Sequence, residues 1–193
     1  MDLILEFQNS LTDDFCDEII RKFEEDERKE KSKVSNVSNK SFIDFNYRKS
    51  TELKISEYSD WEDIHTKLFT IISEKLSEYY SFLKKCGYEK NEIILGLIGS
   101  SHIKGLSITK SEKSDYFNWH IDDYDGKGRF ITVLIYLNTL NESEGGSTVF
   151  GNGKIIKPEK GKIVFFPSLW THVHRGDVVK NNSKYIVSGF FCR

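Results

Sequence analysis

From residue 93 onward the chain is punctuated by Gly, Asn, Asp and Pro. The runs between these breaks are Ile93–Leu97, Leu106–Thr109, Phe117–Ile121, Phe130–Leu137, Thr148–Phe150, Ile163–Phe166 and Tyr185–Phe191. They are short and rich in β-branched and aromatic residues, the composition that suits a pleated, half-buried surface. The segments before them read as helices, and helices first with strands afterwards define the α+β class, with a mainly antiparallel sheet or double sheet backed by helices. Asn152-Gly153, between Phe150 and Lys154, has the chemistry of a hairpin turn.

The helical half has its own signals. Thr12 is a candidate N-cap, Asp13 and Asp14 sit in the positively polarised first turn, and Phe15, Ile19, Ile20 and Phe23 recur at helical spacing. A second helix is expected to start with a capping box, Ser59 to Glu62. Its apolar face runs Trp61, Ile64, Leu68, Ile72, Leu76, Tyr79 and Leu83 before Gly87 offers a stop. Residues 31–50 are rich in Lys, Ser and Asn and read as a mobile surface loop. The organisation expected is one domain over 1–193, with helical support and the loop in 1–92 and the strand-rich core in 93–193.

Charge excludes some partners. The 28 Lys and Arg against 30 Asp and Glu leave a formal net charge of −2, so nothing draws the whole molecule to nucleic acid or to an anionic membrane. No apolar run approaches the roughly 18 residues that span a bilayer, and Met1 to Glu6 lacks the basic end of a signal peptide. Cys16, Cys86 and Cys192 are widely spaced without a CxxC pair, which favours a reduced compartment. A soluble protein, cytoplasmic or otherwise intracellular, is the expectation.

Chemistry concentrates in two places. In Trp119-His120-Ile121-Asp122, a strand would send the imidazole of His120 and the carboxylate of Asp122 to one face, since side chains two apart share it. Thr171-His172-Val173-His174-Arg175-Gly176 offers a third partner, and on residue type alone His172 and His174 are equal candidates. Two imidazoles and one carboxylate on one face of an ion leave its other face open. A calcium loop from Asp123 is disfavoured, because its fifth and twelfth positions are Lys127 and Leu134. Arg175 reads as a surface residue and Trp119 as facing away from its two neighbours.

With these residues in view, 93–192 resembles the catalytic core of the prolyl 4-hydroxylase-like Fe(II)/2-oxoglutarate-dependent dioxygenases. That family's motif is His-x-Asp, a distal His, and a Lys ten residues later; His174 and Lys184 stand at that interval, whereas His172 is twelve from Lys184. Phe130–Asn138, Glu144–Phe150, Lys160–Ser168 and Lys184–Phe190 are similar to its successive strands. The resemblance implies a double-stranded β-helix (jelly-roll) core and a ligand set of His120, Asp122 and His174 for Fe(II). It also implies Lys184 as anchor of the co-substrate 2-oxoglutarate, ascorbate as reductant, and dioxygen and a proline-containing peptide or protein as partners. The family usually has a Tyr nine residues before the first His, where this chain has Ser111. Tyr136, or a shifted loop, is left to supply that hydroxyl.

Overall fold

The computed structural model describes residues 2–35, 40–90, 92–99, 101–123 and 126–192. In chain order its elements are β1 (Leu5–Phe7), α1 (Asp13–Glu25), β2 (Glu30–Lys31), β3 (Val34–Ser35), β4 (Ser41–Phe42), β5 (Arg48–Lys49) and β6 (Thr51–Leu53). There follow α2 (Glu62–Lys85), α3 (Glu92–Gly99), β7 (His102–Ser111), β8 (Tyr116–His120), β9 (Arg129–Tyr136) and β10 (Thr148–Phe150). The last are β11 (Ile155–Ile156), β12 (Ile163–Pro167), β13 (His174–Gly176) and β14 (Lys184–Cys192). A seven-stranded sheet of order β1-β12-β9-β14-β7-β6-β2 faces a five-stranded sheet of order β11-β10-β13-β8-β5, and β3 pairs with β4. Every strand pairing within them is antiparallel.

Alternation along the central strands divides the interior in two. Ile131, Val133 and Ile135 of β9, Ile163 and Phe165 of β12, and Val187 and Phe191 of β14 pack in one cluster with Ile19, Phe23, Leu68, Ile72 and Tyr79 of the helices. Leu134 and Tyr136, Val164 and Phe166, and Phe150 of β10 point the other way and form a second cluster between the sheets. Burial on both faces explains why Phe130–Leu137 reads as an unbroken apolar run. Each large aliphatic or aromatic side chain removed from water contributes roughly 1.5–3 kcal/mol. No helix among the described residues is long and apolar enough to cross a membrane.

Several local expectations need correction. Ile93–Leu97 lies within α3 rather than a strand; a short apolar run has no periodicity that separates a buried strand from a buried helix turn. The capping box does not form. Ser59–Trp61 is a 3-10 turn, α2 starts at Glu62, and Trp61 is instead buried with its indole Nε1 donating to Asp26 Oδ2 at 2.9 Å. Residues 31–35 and 40–50 are not a plain loop: they include β3, β4 and β5, and β5 joins the edge of the small sheet through Arg48 opposite Phe117 and Lys49 opposite Tyr116. Polar two-residue strands carry no hydrophobic signature. Residues 36–39 lie outside the described residues, as do Tyr124 and Asp125 of the rejected calcium loop.

Other expectations hold. Thr12 caps α1, its hydroxyl accepting from Phe15 N at 3.3 Å, and Gly87 after α2 has φ +90°. The β10–β11 connection is a tight turn in which Gly153, also at φ +90°, takes the left-handed conformation.

Candidate functional site

The register of β8 and β13 creates the site. His174 stands directly opposite His120, and a bulge follows, so that Gly176 faces Phe117 rather than Asn118. Directly opposed residues have Cβ atoms about 5 Å apart, and the bulge lets both Phe117 and His120 turn inward, their rings stacked at 3.6 Å. Phe150 and Phe166 close around His174 at 5.4 and 4.9 Å. Both imidazoles are tethered through Nδ1 to main-chain carbonyls, His120 to Asn118 O at 2.8 Å and His174 to His172 O at 3.0 Å. A carbonyl can only accept, so each Nδ1 carries the hydrogen and each Nε2 presents its lone pair.

Asp122 completes the group by a route that strand alternation does not give. β8 ends at His120, and Asp122 lies in a bend whose backbone N–H, with that of Asp123, donates to Ser168 O at 3.1 Å. Its Oδ1 is 3.7 Å from His120 Nε2 and its Oδ2 is 3.7 Å from His174 Nε2. One donor atom from each of His120, Asp122 and His174 falls within 4.8 Å of the other two. Burial, reinforced by the neighbouring His174, holds the pKa of His120 well below its ordinary value, which keeps the ring neutral as a ligand must be. Two neutral imidazole nitrogens and a carboxylate oxygen, all converging, fit a divalent transition metal with positions left open. His172 is elsewhere, its ring nitrogen Nδ1 2.9 Å from Thr171 Oγ1.

Three residues that hold Asp122 escaped the sequence reading. The Thr132 hydroxyl donates to Asp122 Oδ2 at 2.6 Å and lies 2.8 Å from Ser168 Oγ, while Arg129 donates to Asp122 O at 2.9 Å. Thr132 and Ser168 are each only 1% exposed. A lone hydroxyl at an inward position of an otherwise apolar strand was the available signal. Partners behind a metal ligand typically matter 10–100-fold in affinity. Thr132→Val, which keeps shape and deletes the hydroxyl, is therefore expected to weaken Fe(II) or Co(II) binding by about that factor, and Thr132→Ser to restore it; a competition titration with a chelating dye measures both.

Lys184 opens β14 on the same inward face as Ile186, Ser188 and Phe190. It is 5% exposed, and its Nζ donates to Gly146 O at 2.9 Å. Gly145 and Gly146, at φ +73° and +76°, make a tight turn, and a Cβ on Gly146 would come within 2.9 Å of Leu140 Cδ1 and 3.4 Å of Lys184 Cδ. Burial pushes the Lys184 pKa down to about 8, against the opposing attraction of Asp177. Ser111 is its register partner across β7 and β14. Tyr136 is fully buried, and its hydroxyl donates to Thr148 Oγ1 at 2.7 Å. Thr148 stands opposite Gly176, and Lys184 Nζ is 3.6 Å from where a Gly176 Cβ would lie. An ammonium and buried hydroxyls thus share one corner of the barrel. Arg175 and Trp119 face outward as expected, stacked at 4.9 Å. In front of His120 and Asp122 a cleft of about 1130 Å³ opens, also bordered by Arg48, Phe117, Ser188 and Phe190.

Two imidazoles and a carboxylate converging in the mouth of a two-sheet jelly roll match the donor set of a non-haem iron centre with open positions. Residues 106–192 match the family model described as the 2OG-Fe(II) oxygenase superfamily. The fold is similar to that of a viral collagen prolyl hydroxylase from Paramecium Bursaria Chlorella virus-1, solved as its 2OG complex (TM-score 0.64, 19% identity, 99% of this chain and 96% of that one). It is also similar to a Trichoplax adhaerens prolyl hydroxylase in complex with a hypoxia inducible factor oxygen degradation domain peptide fragment (0.74, 16%, 98% and 83%). A third likeness is to a Pseudomonas putida prolyl-4-hydroxylase (0.65, 14%, 98% and 92%). No curated protein matches the chain significantly in sequence.

Proposed function

We propose that the chain is an Fe(II)- and 2-oxoglutarate-dependent dioxygenase that hydroxylates a C–H bond of a peptide, with a prolyl residue as target and succinate and CO2 as co-products. The observation that carries this reading is the convergence of His120, Asp122 and His174 at the floor of an open cleft, with the buried Lys184 nearby. The prolyl hydroxylase folds above, one of them bound to a peptide, support the choice of substrate.

Fe(II) held at this site would, with 2-oxoglutarate and dioxygen, supply the oxidising power for inserting one oxygen atom into a C–H bond, with the second oxygen atom accounted for in succinate and the lost carboxylate in CO2. His120, Asp122 and His174 would hold the ion. Lys184 would meet the far carboxylate of 2-oxoglutarate in a water-poor corner where a charge-assisted contact is strong, with the Tyr136 hydroxyl beside it. The aromatic rings of Phe117, Phe150 and Phe166 keep the imidazoles in place. Ascorbate would serve as external reductant.

Anaerobic addition of Fe(II) and then 2-oxoglutarate to the purified protein is expected to produce the visible charge-transfer band of a chelated iron–oxoacid pair. Admission of air with a proline-containing peptide should then add one oxygen atom to the peptide, read by mass spectrometry. Metal binding without the band would favour a non-catalytic binding module; the band without peptide oxidation would point to the same chemistry on another substrate.

A further inference from the structure

The charged side chains along the cleft are paired differently at its two ends. Near β2 and β6, each lining cation meets a lining carboxylate: Lys33 with Glu30 at 2.7 Å, Arg48 with Glu52 at 3.1 Å and Lys54 with Glu57 at 3.5 Å. At the opposite end Lys104 and Arg129 also line the cleft, and among the described residues neither has a carboxylate within ion-pair distance. Arg129 uses one N–H on Asp122 O, and its guanidinium lies 4.1 Å from the Phe190 ring. Phe190 is in turn the register partner of the exposed Lys104, brought there by a break in the β7–β14 register beside Gly105 at φ +63°. A cation, an aromatic face and a second cation therefore stand side by side on the cleft wall, one backbone carbonyl away from Asp122.

Resting on the peptide-oxygenase reading above, we infer that this end of the cleft is a carboxylate subsite, and that the peptide acted on carries an Asp or Glu close to the residue presented to His120 and Asp122. A guanidinium stacked on a ring keeps its N–H edge free for a carboxylate and is weakly hydrated, so the exchange of water for an anion costs little. Phe190 offers the apolar contact for the stem of the same side chain. The balanced pairs at the other end add no net attraction, and a basic residue beside Lys104 and Arg129 is repelled, which makes the subsite selective as well as attractive. An extended chain advances about 3.3 Å per residue, and the short path from Arg129 to Asp122 places the acid within about three residues of the target.

The test uses the protein loaded anaerobically with Fe(II) and 2-oxoglutarate, and fluorescent peptides with one Pro flanked two residues away, on either side, by Asp, Asn or Lys. In low salt the better-placed Asp peptide is expected to bind about tenfold more tightly than its Asn counterpart and the Lys peptide more weakly still, the differences shrinking as salt screens them. Lys104→Glu, at an exposed position, should reduce or invert that order with Fe(II) affinity unchanged. Equal binding of the Asp, Asn and Lys peptides overturns the subsite and leaves the peptide reading standing, as does an unaltered order in Lys104→Glu. Failure of every peptide to bind removes the peptide reading as well.

Discussion

Fe(II) titrated anaerobically into His174→Ala is expected to bind more than about 100-fold more weakly than to the unaltered protein, whereas His172→Ala should stay within a few-fold. The contrast follows from what each histidine contributes. His174 Nε2 lies 3.7 Å from Asp122 Oδ2, inside the group of three donors, so its loss deletes one of the three converging donors, a larger change than the 10–100-fold typical of residues behind a ligand. His172 contributes its main-chain carbonyl, which orients His174 through Nδ1, and that carbonyl survives truncation of the side chain. The iron–oxoacid band reports the same pair of variants independently. Equal losses in both, or a larger loss in His172→Ala, would remove His174 from the ligand set.

The choice between these two histidines shows where sequence reading reached the site and where it stopped. Residue type left both open, and the ten-residue interval to Lys184 favoured His174, which the structure places across from His120. His-x-Asp was legible because it is a local word, although its stated geometry was incomplete: Asp122 reaches its partners through Ser168 rather than by continuing β8. Thr132 was hidden because a hydroxyl within Phe130–Leu137 acquires meaning only from the register that aims it at Asp122. Arg48 was hidden for a different reason. It sits on a two-residue strand in a Lys- and Asn-rich stretch, and only pairing with β8 brings its guanidinium to 4.7 Å from the Phe117 ring. The helices were legible from their buried faces, but the start of α2 was not, since the bond from Trp61 to Asp26 spans 35 residues.

Lys184→Met is expected to raise the dissociation constant for 2-oxoglutarate by roughly 10- to 150-fold while leaving Fe(II) bound, the equivalent of about 1.5–3 kcal/mol for a hydrogen bond to a charged group. The replacement keeps much of the side-chain volume beside Gly146 and deletes the charge. Its effect on stability should go the other way. In the free protein the ammonium is 5% exposed and, among the described residues, its one hydrogen-bond acceptor is Gly146 O, so burial works against the charged form and holds its pKa at about 8. An apolar side chain there should leave the melting temperature unchanged or higher, a combination that separates a ligand anchor from a packing residue. The pH dependence carries the same information. A bound dicarboxylate favours the ammonium, so above pH 8 the lysine must take up a proton on binding, and affinity should fall by up to about tenfold per pH unit, with no such fall in Lys184→Met. Co-substrate affinity insensitive to both the substitution and alkaline pH would take Lys184 out of the site, and a large drop in stability would assign it to the fold instead.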